Sequence, residues 1–290
     1  MLTSCLSLGL QAETFFEQQL KLAKEGDAGS QGIVGIMYHD GREGAPKNPK
    51  IAAYWFGQAA KQGVDQAQFN LALYYNQGNG VAKNPKMAAY WFGQAAKQGN
   101  NDAQYNLGLM YAKGQGVPQD YKEAVKWYVK AAEQRHPFSQ FTLGLMYNNG
   151  NGVPQDYKEA AKWYTKAAEQ GVADAQNNLG LLYDNGRGVP QDHKEALKWY
   201  TKAAEQGQTD AQGNIGAMYF NGQGVLEDYI TGYAWTIVAK ANGHDAEHNL
   251  QLFKRKMTPE QIALAQALAK KIFQKIESKD SENPINVRYD

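Results

Sequence analysis

The six tryptophans of this 290-residue chain stand at Trp55, Trp91, Trp127, Trp163, Trp199 and Trp235, so every interval is 36 residues and none lies off the series. Tyr75, Tyr111, Tyr147, Tyr183 and Tyr219 keep the same step, as do Gly78, Gly114, Gly150, Gly186 and Gly222. A period of this length specifies an array of supersecondary units in place of one core. Each unit covers its apolar face with its neighbours.

Residues 99–134 show what the unit is. Ala103, Leu107 and Tyr111 recur at i, i+4 and i+8, one stripe of an α-helix. Gly114-Gln-Gly116 breaks that helix, because glycine reaches the positive φ its end requires. After an extended Val117-Pro118-Gln119, Asp120 reads as an N-cap with Glu123 three residues on, the spacing of a capping box. Asp156/Glu159 and Asp192/Glu195 repeat the pattern, while Asn48-Pro49 and Asn84-Pro85 start the equivalent helix with a cap and a proline at its first position. Ala124, Trp127, Tyr128, Ala131 and Ala132 form the buried stripe of this second helix. It stops near a glycine at Gly63, Gly99, Gly171, Gly207 and Gly243. The predicted unit is a helix-turn-helix hairpin, and the predicted fold is all-α, a solenoid of about six hairpins.

Three places depart from the period. Arg135-His136-Pro137-Phe138 stands where a glycine and an acidic step are expected. The first turn, Gly41 to Pro46, carries one extra residue, and Gly232 replaces an alanine in the last repeat. A terminal unit faces a cap and not another repeat, which relaxes its pattern.

The expected organisation is an N-terminal capping helix over 13–25 (Phe16, Leu20, Ala23), repeats over 26–243, C-terminal capping helices over 244–277 and a flexible tail over 278–290. Thr258 and Gln261 mark the start of the last helix, and Ile262, Ala265, Ala269, Ile272, Phe273 and Ile276 give it one apolar face. Residues 1–12, MLTSCLSLGLQA, resemble the end of a secretory signal without its basic segment. They raise the expectation of a periplasmic or secreted protein, with the cytoplasm as the alternative.

Thirty Lys and Arg balance 29 Asp and Glu, a net charge of +1. That supplies no global field, so neither nucleic acid nor an anionic membrane surface is expected as a partner. Cys5 is the one cysteine, which excludes an intramolecular disulfide framework. No run of 18 apolar residues is present, so no transmembrane segment is expected. Gly-x-Gly recurs, but between helices and never after a strand, so it reads as turn chemistry and not as a phosphate cradle. His244 and His248 sit at i and i+4, half of a zinc site, with no evident third ligand and not in the order His-Glu-x-x-His. None of the serines has a lysine three residues on, so no Ser-x-x-Lys nucleophile exists. Asn48–Gly63 matches Asn84–Gly99 except at Ile51 and Met87. A chain this self-similar offers few different groups to converge on a reacting atom. The expectation is no enzyme, no cofactor and no metal.

The string Ala-Gln-Tyr-Asn-Leu-Gly-Leu-Met-Tyr (103–111), then Gly-x-Gly-Val-Pro-x-Asp (114–120), then Ala-x-x-Trp-Tyr-x-x-Ala-Ala (124–132), resembles the Sel1-like repeat, a cousin of the tetratricopeptide repeat. The resemblance covers roughly 26–250. It implies a right-handed α/α superhelix with the first helix of each hairpin on the concave face, and work as an adaptor or scaffold for other proteins. It brings no shared active site. The partner-facing positions so implied include Phe69, Asp102, Tyr105, Lys113, Phe138, Phe141, Asn177 and Asp184. Leu73, Leu109, Leu145 and Leu181 are expected in the hairpin core instead. With Lys113 the lone cation of that set, the expected ligand of a monomeric scaffold is an extended or helical segment with apolar anchors. Two alternatives are a glycan-binding envelope protein, stacking sugars on exposed Tyr and Trp, and a metal-dependent enzyme using His244 and His248.

Overall fold

Asn, Asp, Thr or Gln before most helices and glycine at or just past the end of most of them punctuate the chain regularly, and every element in residues 13–282, which the computed structural model describes, is helical. The hairpins pair a first helix with a second: α2 (Ala28–Asp40) with α3 (Pro49–Lys61), α4 (Asp65–Gln77) with α5 (Pro85–Lys97), and α6 (Asn101–Lys113) with α7 (Tyr121–Glu133). They continue as α8 (Pro137–Asn149) with α9 (Tyr157–Glu169), α10 (Ala173–Asn185) with α11 (His193–Ala204), and α12 (Thr209–Asn221) with α13 (Tyr229–Ala241). Helix α1 (Phe15–Lys24) precedes them, and α14 (Glu247–Lys254) and α15 (Pro259–Glu282) follow. The expected tail from 278 is therefore helical as far as Glu282, and the segment 1–12 that suggested export lies outside the described residues. The helices form two compact units, one ending at Gln134 and the other starting at Arg135.

The turn inside each hairpin uses its two glycines differently. Gly114 ends α6 in the left-handed conformation (φ 66°), its N–H returning to the Met110 carbonyl. Gly116 is also left-handed, and a Cβ there would lie 2.2 Å from the Pro85 carbonyl oxygen of the preceding repeat. The second glycine thus seats one turn on the start of its neighbour's helix. The periodic tyrosine closes the loop through its backbone: the Asp120 N–H donates to the Tyr111 carbonyl at 2.9 Å, and Asn84 does the same to Tyr75 at 2.8 Å.

The expected capping boxes are only half made. Asp120 accepts the Glu123 N–H at 3.0 Å, but the Glu123 carboxylate turns to Lys126 at 2.7 Å. Glu159 and Glu195 likewise take Lys162 and Lys198. An acid at N3 with a lysine three residues on has an alternative partner, and here the ion pair wins. Reciprocal boxes form where no such lysine competes, at Thr14/Glu17 and at Thr258/Gln261.

Within a hairpin the helices meet where a small residue faces a ring. A Cβ on Gly108 would stand 2.6 Å from the Tyr128 ring, one on Gly144 2.4 Å from Tyr164, and one on Gly180 2.7 Å from Tyr200. Between hairpins the tryptophans do the sealing. Trp91 of α5 packs on the α3–α4 core, Trp127 of α7 on the α5–α6 core, and Trp199 of α11 on the α9–α10 core. Trp55 and Trp199 are buried, whereas the other four keep an exposed edge. Lys130, Lys166 and Lys202 lie over the rings of Trp127, Trp163 and Trp199 at 4.0–4.4 Å, which suits a cation at an aromatic face.

A row of buried glutamines ties repeat to repeat. Gln31, Gln68, Gln104, Gln176 and Gln212 each donate to the carbonyl of an alanine eight residues earlier, at 3.0–3.2 Å. Their oxygens accept from Gln62, Gln98, Gln134, Gln206 and Asn242 of the following second helix, at 2.7–2.9 Å. At the far end Gly232 leaves the space that Phe253 of α14 fills, 2.7 Å from where a Cβ would be. Phe253 joins Tyr233, Val238, Ala265 and Ile276 in one core cluster, so the last hairpin is covered by α14 and α15.

Candidate functional site

The rings expected to face a partner stand on the first helices, each leaning on a ring of its own hairpin. Phe69 lies 5.8 Å from Phe92, Tyr105 5.8 Å from Tyr128, and Phe141 6.0 Å from Tyr164, all tilted. Phe138 lies 6.1 Å from His136. All four are half-buried, with part of each ring open to solvent. Contacts of this kind hold a ring in one orientation, which lowers the entropic cost of using it to bind. Asp102 and Lys113 are exposed.

Two of the expected positions are engaged elsewhere. Asn177 is 4 % exposed, and its Oδ1 accepts from Asn214 of α12 at 3.2 Å. Asparagine at the place of a ring has been turned into an inter-repeat hydrogen bond and withdrawn from the surface. Asp184 is half-buried and meets His193 Nδ1 at 2.7 Å. The leucines also differ from expectation. Leu71, Leu107, Leu143 and Leu179 fill the hairpin cores, whereas Leu73 and Leu145 pack at the edge and Leu181 is 37 % exposed. They lie two residues beyond the core leucines on a 3.6-residue helix, about 200° around its axis.

His244 and His248 do not converge. The His244 ring fills the space left by Gly213, its Nε2 2.9 Å from where a Cβ would stand, and its Nδ1 is 3.5 Å from Asp210. His248 is exposed, and among the described residues no group of three His, Cys, Asp or Glu is placed to hold an ion. The imidazole occupies the place that a ring takes on the first helices of other repeats.

The second helices carry exposed residues that the sequence reading passed over. Tyr54 and Tyr90 are 56 % and 52 % exposed, each meeting the following tryptophan edge-on at 4.9–5.0 Å. The signal was present in the repeats themselves, since Lys126, Lys162 and Lys198 hold the equivalent position in α7, α9 and α11.

Both the hairpin geometry and its period agree with known proteins. The Sel1 repeat family model matches residues 29–64, 65–100, 101–136, 137–172, 173–208 and 209–244. The fold is similar to that of a protective antigen present in uropathogenic Escherichia coli strains that displays an SLR fold, with a TM-score of 0.80 and 34% identity over 92% of this chain. This chain spans 57% of that antigen's length. A Sel1 repeat protein from Oxalobacter formigenes matches at a TM-score of 0.65 and 32% identity, over 77% of this chain and 96% of its own. No curated protein matches the chain. With six successive units matched and the hairpins of solved Sel1 repeat proteins reproduced, the chain belongs to the Sel1 repeat family.

Proposed function

We propose that this chain is a non-catalytic scaffold that holds a protein or peptide partner on its first helices. Sel1 repeat proteins generally act as protein-interaction scaffolds. The observation that carries the reading here is the recurrence of a half-buried ring, Phe69, Tyr105 and Phe141, at one position of successive hairpins, each braced by a ring beneath it. Braced rings with one open edge are what interface anchors are made of. Asp102, one turn before Tyr105, and Lys113, about two turns after it, are exposed on α6 and add a charge of each sign that sets orientation.

Affinity capture with the wild-type chain, followed by mass spectrometry, names the partner. Binding of that partner is then compared in Tyr105→Ser and in Asp102→Lys/Lys113→Glu. The second variant changes exposed side chains only, and circular dichroism checks that it keeps the fold. Binding unchanged in both moves the site off the first helices. Metal analysis of the purified protein tests the rival reading of His244 and His248, which a stoichiometric zinc would support. The export reading rests on residues 1–12, and sequencing the N-terminus of the protein from its own cells tests it.

A further inference from the structure

Residues 44–101 carry six lysines, Lys47, Lys50, Lys61, Lys83, Lys86 and Lys97, against one acid, Asp65, in a chain whose total charge is +1. The concentration comes from systematic replacement. Where α7 and its cap have Asp120, Glu123 and Glu133, α3 has Asn48, Ile51 and Lys61, and α5 has Asn84, Met87 and Lys97. Asp65 is itself held by the Asn100 amide at 3.3 Å. Among the described residues no ion pair engages Lys50, Lys61, Lys86 or Lys97, and all four are exposed. Lys50 and Lys86 even stand in the first turn of their helices, where the helix dipole opposes a cation. Helix stability thus does not account for the sign of Lys50 and Lys86, whereas Lys61 and Lys97 stand in last turns that favour a cation.

These lysines flank the exposed tyrosines on one stripe. Relative to Tyr54, Lys50 is at i−4, Gly57 and Gln58 at i+3 and i+4, and Lys61 at i+7, so all share a helix face. Gly57 and Gly93 have nothing within 4 Å of a would-be Cβ, which leaves the flank of each tyrosine open. Gln58 stands where Lys130 covers Trp127, and so offers a neutral amide. The stripe on α5 lies beside the one on α3. Gln98 donates to the Gly63 carbonyl at 3.0 Å, joining the two C-terminal ends, and Gly80 before α5 sits against Pro49 at the start of α3. With neighbouring helices about 8–10 Å apart, Tyr54 and Tyr90 form a two-ring platform with a lysine row at either end, about 16 Å from row to row.

We propose that this face of α3 and α5 binds an acidic, uronate-bearing polysaccharide, its pyranose rings lying on Tyr54 and Tyr90 and its carboxylates meeting the lysine rows. The chemistry selects among anionic partners. A folded protein is gripped through anchors in well-packed pockets, and this platform is flat. A membrane surface needs aliphatic or tryptophan side chains to enter the headgroup region, and the exposed stripe is Lys, Tyr, Gly and Gln. A single nucleic-acid strand is held in a charged groove that tracks its phosphates, whereas here the charge lies at the two margins and the rings between. A polymer of repeating sugars, with a carboxylate on every ring or every second ring, matches two stripes with the same exposed residues.

The test is calorimetric titration of the whole chain, at low salt, with oligogalacturonate and with hyaluronan oligomers. Saturable binding to either is expected. It should weaken about tenfold or more in Tyr54→Ser/Tyr90→Ser, by analogy with the loss of an aromatic stacking platform. It should also weaken in Lys50→Gln/Lys61→Gln/Lys86→Gln/Lys97→Gln, with circular dichroism unchanged in both. Tyr105→Ser, on the first helices, should leave it intact, which separates this surface from the scaffold reading. The proposal is overturned by absence of saturable binding to both probes, or by full binding in the tyrosine variant. Tighter binding of a thymidine oligonucleotide, a poly-glutamate peptide or anionic vesicles overturns it equally.

Discussion

Gln98 donates to the side-chain oxygen of Gln68 at 2.8 Å, while Gln68 donates to the Ala60 carbonyl at 3.1 Å. One amide therefore satisfies the end of the preceding helix and is satisfied by the next, because an amide carries both a donor and an acceptor for the two tasks. Gln68 is 5 % exposed. Gln68→Glu keeps the shape and removes the donor, setting a carboxylate oxygen against the Ala60 carbonyl. The expected cost is about 2–3 kcal/mol, the range for a buried polar group left unpaired. The loss, read by urea denaturation, should shrink at acidic pH, where the protonated acid can donate again.

The glycine-to-ring contact predicts a paired substitution. Gly108→Ala puts a Cβ 2.6 Å from the Tyr128 ring and should cost about 1–3 kcal/mol through overpacking. The hairpin of α4 and α5 shows the remedy, since Ala72 there stands opposite Phe92. Gly108→Ala/Tyr128→Phe should recover part of the loss, and a double-mutant cycle by thermal denaturation measures it.

Tyr164 and Tyr200 hold equivalent positions but differ at the hydroxyl. Asn178 hydrogen-bonds Tyr164, whereas the equivalent Asn214 has turned to Asn177 and leaves the buried Tyr200 hydroxyl without a partner. Tyr200→Phe should therefore leave stability unchanged or raise it by about 1 kcal/mol, and Tyr164→Phe should lower it. Phe56 and Phe92 already occupy the position in earlier hairpins.

The same tyrosines set an alkaline limit. Burial holds the hydroxyls of Tyr128, Tyr164 and Tyr200 well above their ordinary value of 10.0, with the charge of Asp184 adding to it at Tyr200. Their neutral forms are favoured in the folded chain. That contribution is complete below the unfolded value and declines as pH rises past about 10 toward the folded values. The melting temperature should fall over that range, and less steeply in Tyr200→Phe.

Arg135 takes the left-handed conformation (φ 65°) that glycine holds at Gly63, Gly99, Gly171 and Gly207. A side chain in that region carries a conformational cost of about 1–2 kcal/mol, so Arg135→Gly should be stabilising by up to that amount, less the entropy that glycine adds to the unfolded chain. Thermal denaturation of the variant beside wild type measures the difference.

The period, the helix bounds near Gly114 and Asp120, and the small-residue stripe were legible because each follows from a local rule: glycine at positive φ, an acid at the N-cap, apolar spacing at i+4. The fate of Glu123 was not, because a capping box and an i,i+3 ion pair use the same carboxylate and only the side-chain geometry decides between them. Asn177 was misread for a related reason. A polar residue at a position held elsewhere by rings looks like a surface contact until Asn214 is seen 37 residues further round the array. Tyr54 and Tyr90 were overshadowed by the tryptophans beside them, whose strict spacing drew the whole aromatic signal toward packing.

Each glutamine rung uses one residue from its own hairpin and one from the hairpin before, and the residues are the same at almost every step. A hairpin copied in register would find its bonds already provided on both sides. The near-duplicate segments Asn48–Gly63 and Asn84–Gly99 have the look of such a copy. Number of hairpins is then the quantity that inheritance can change without redesign, while the termini, with Ala23 accepting from the first rung and Phe253 seated on Gly232, are fixed fittings that any longer or shorter version must keep.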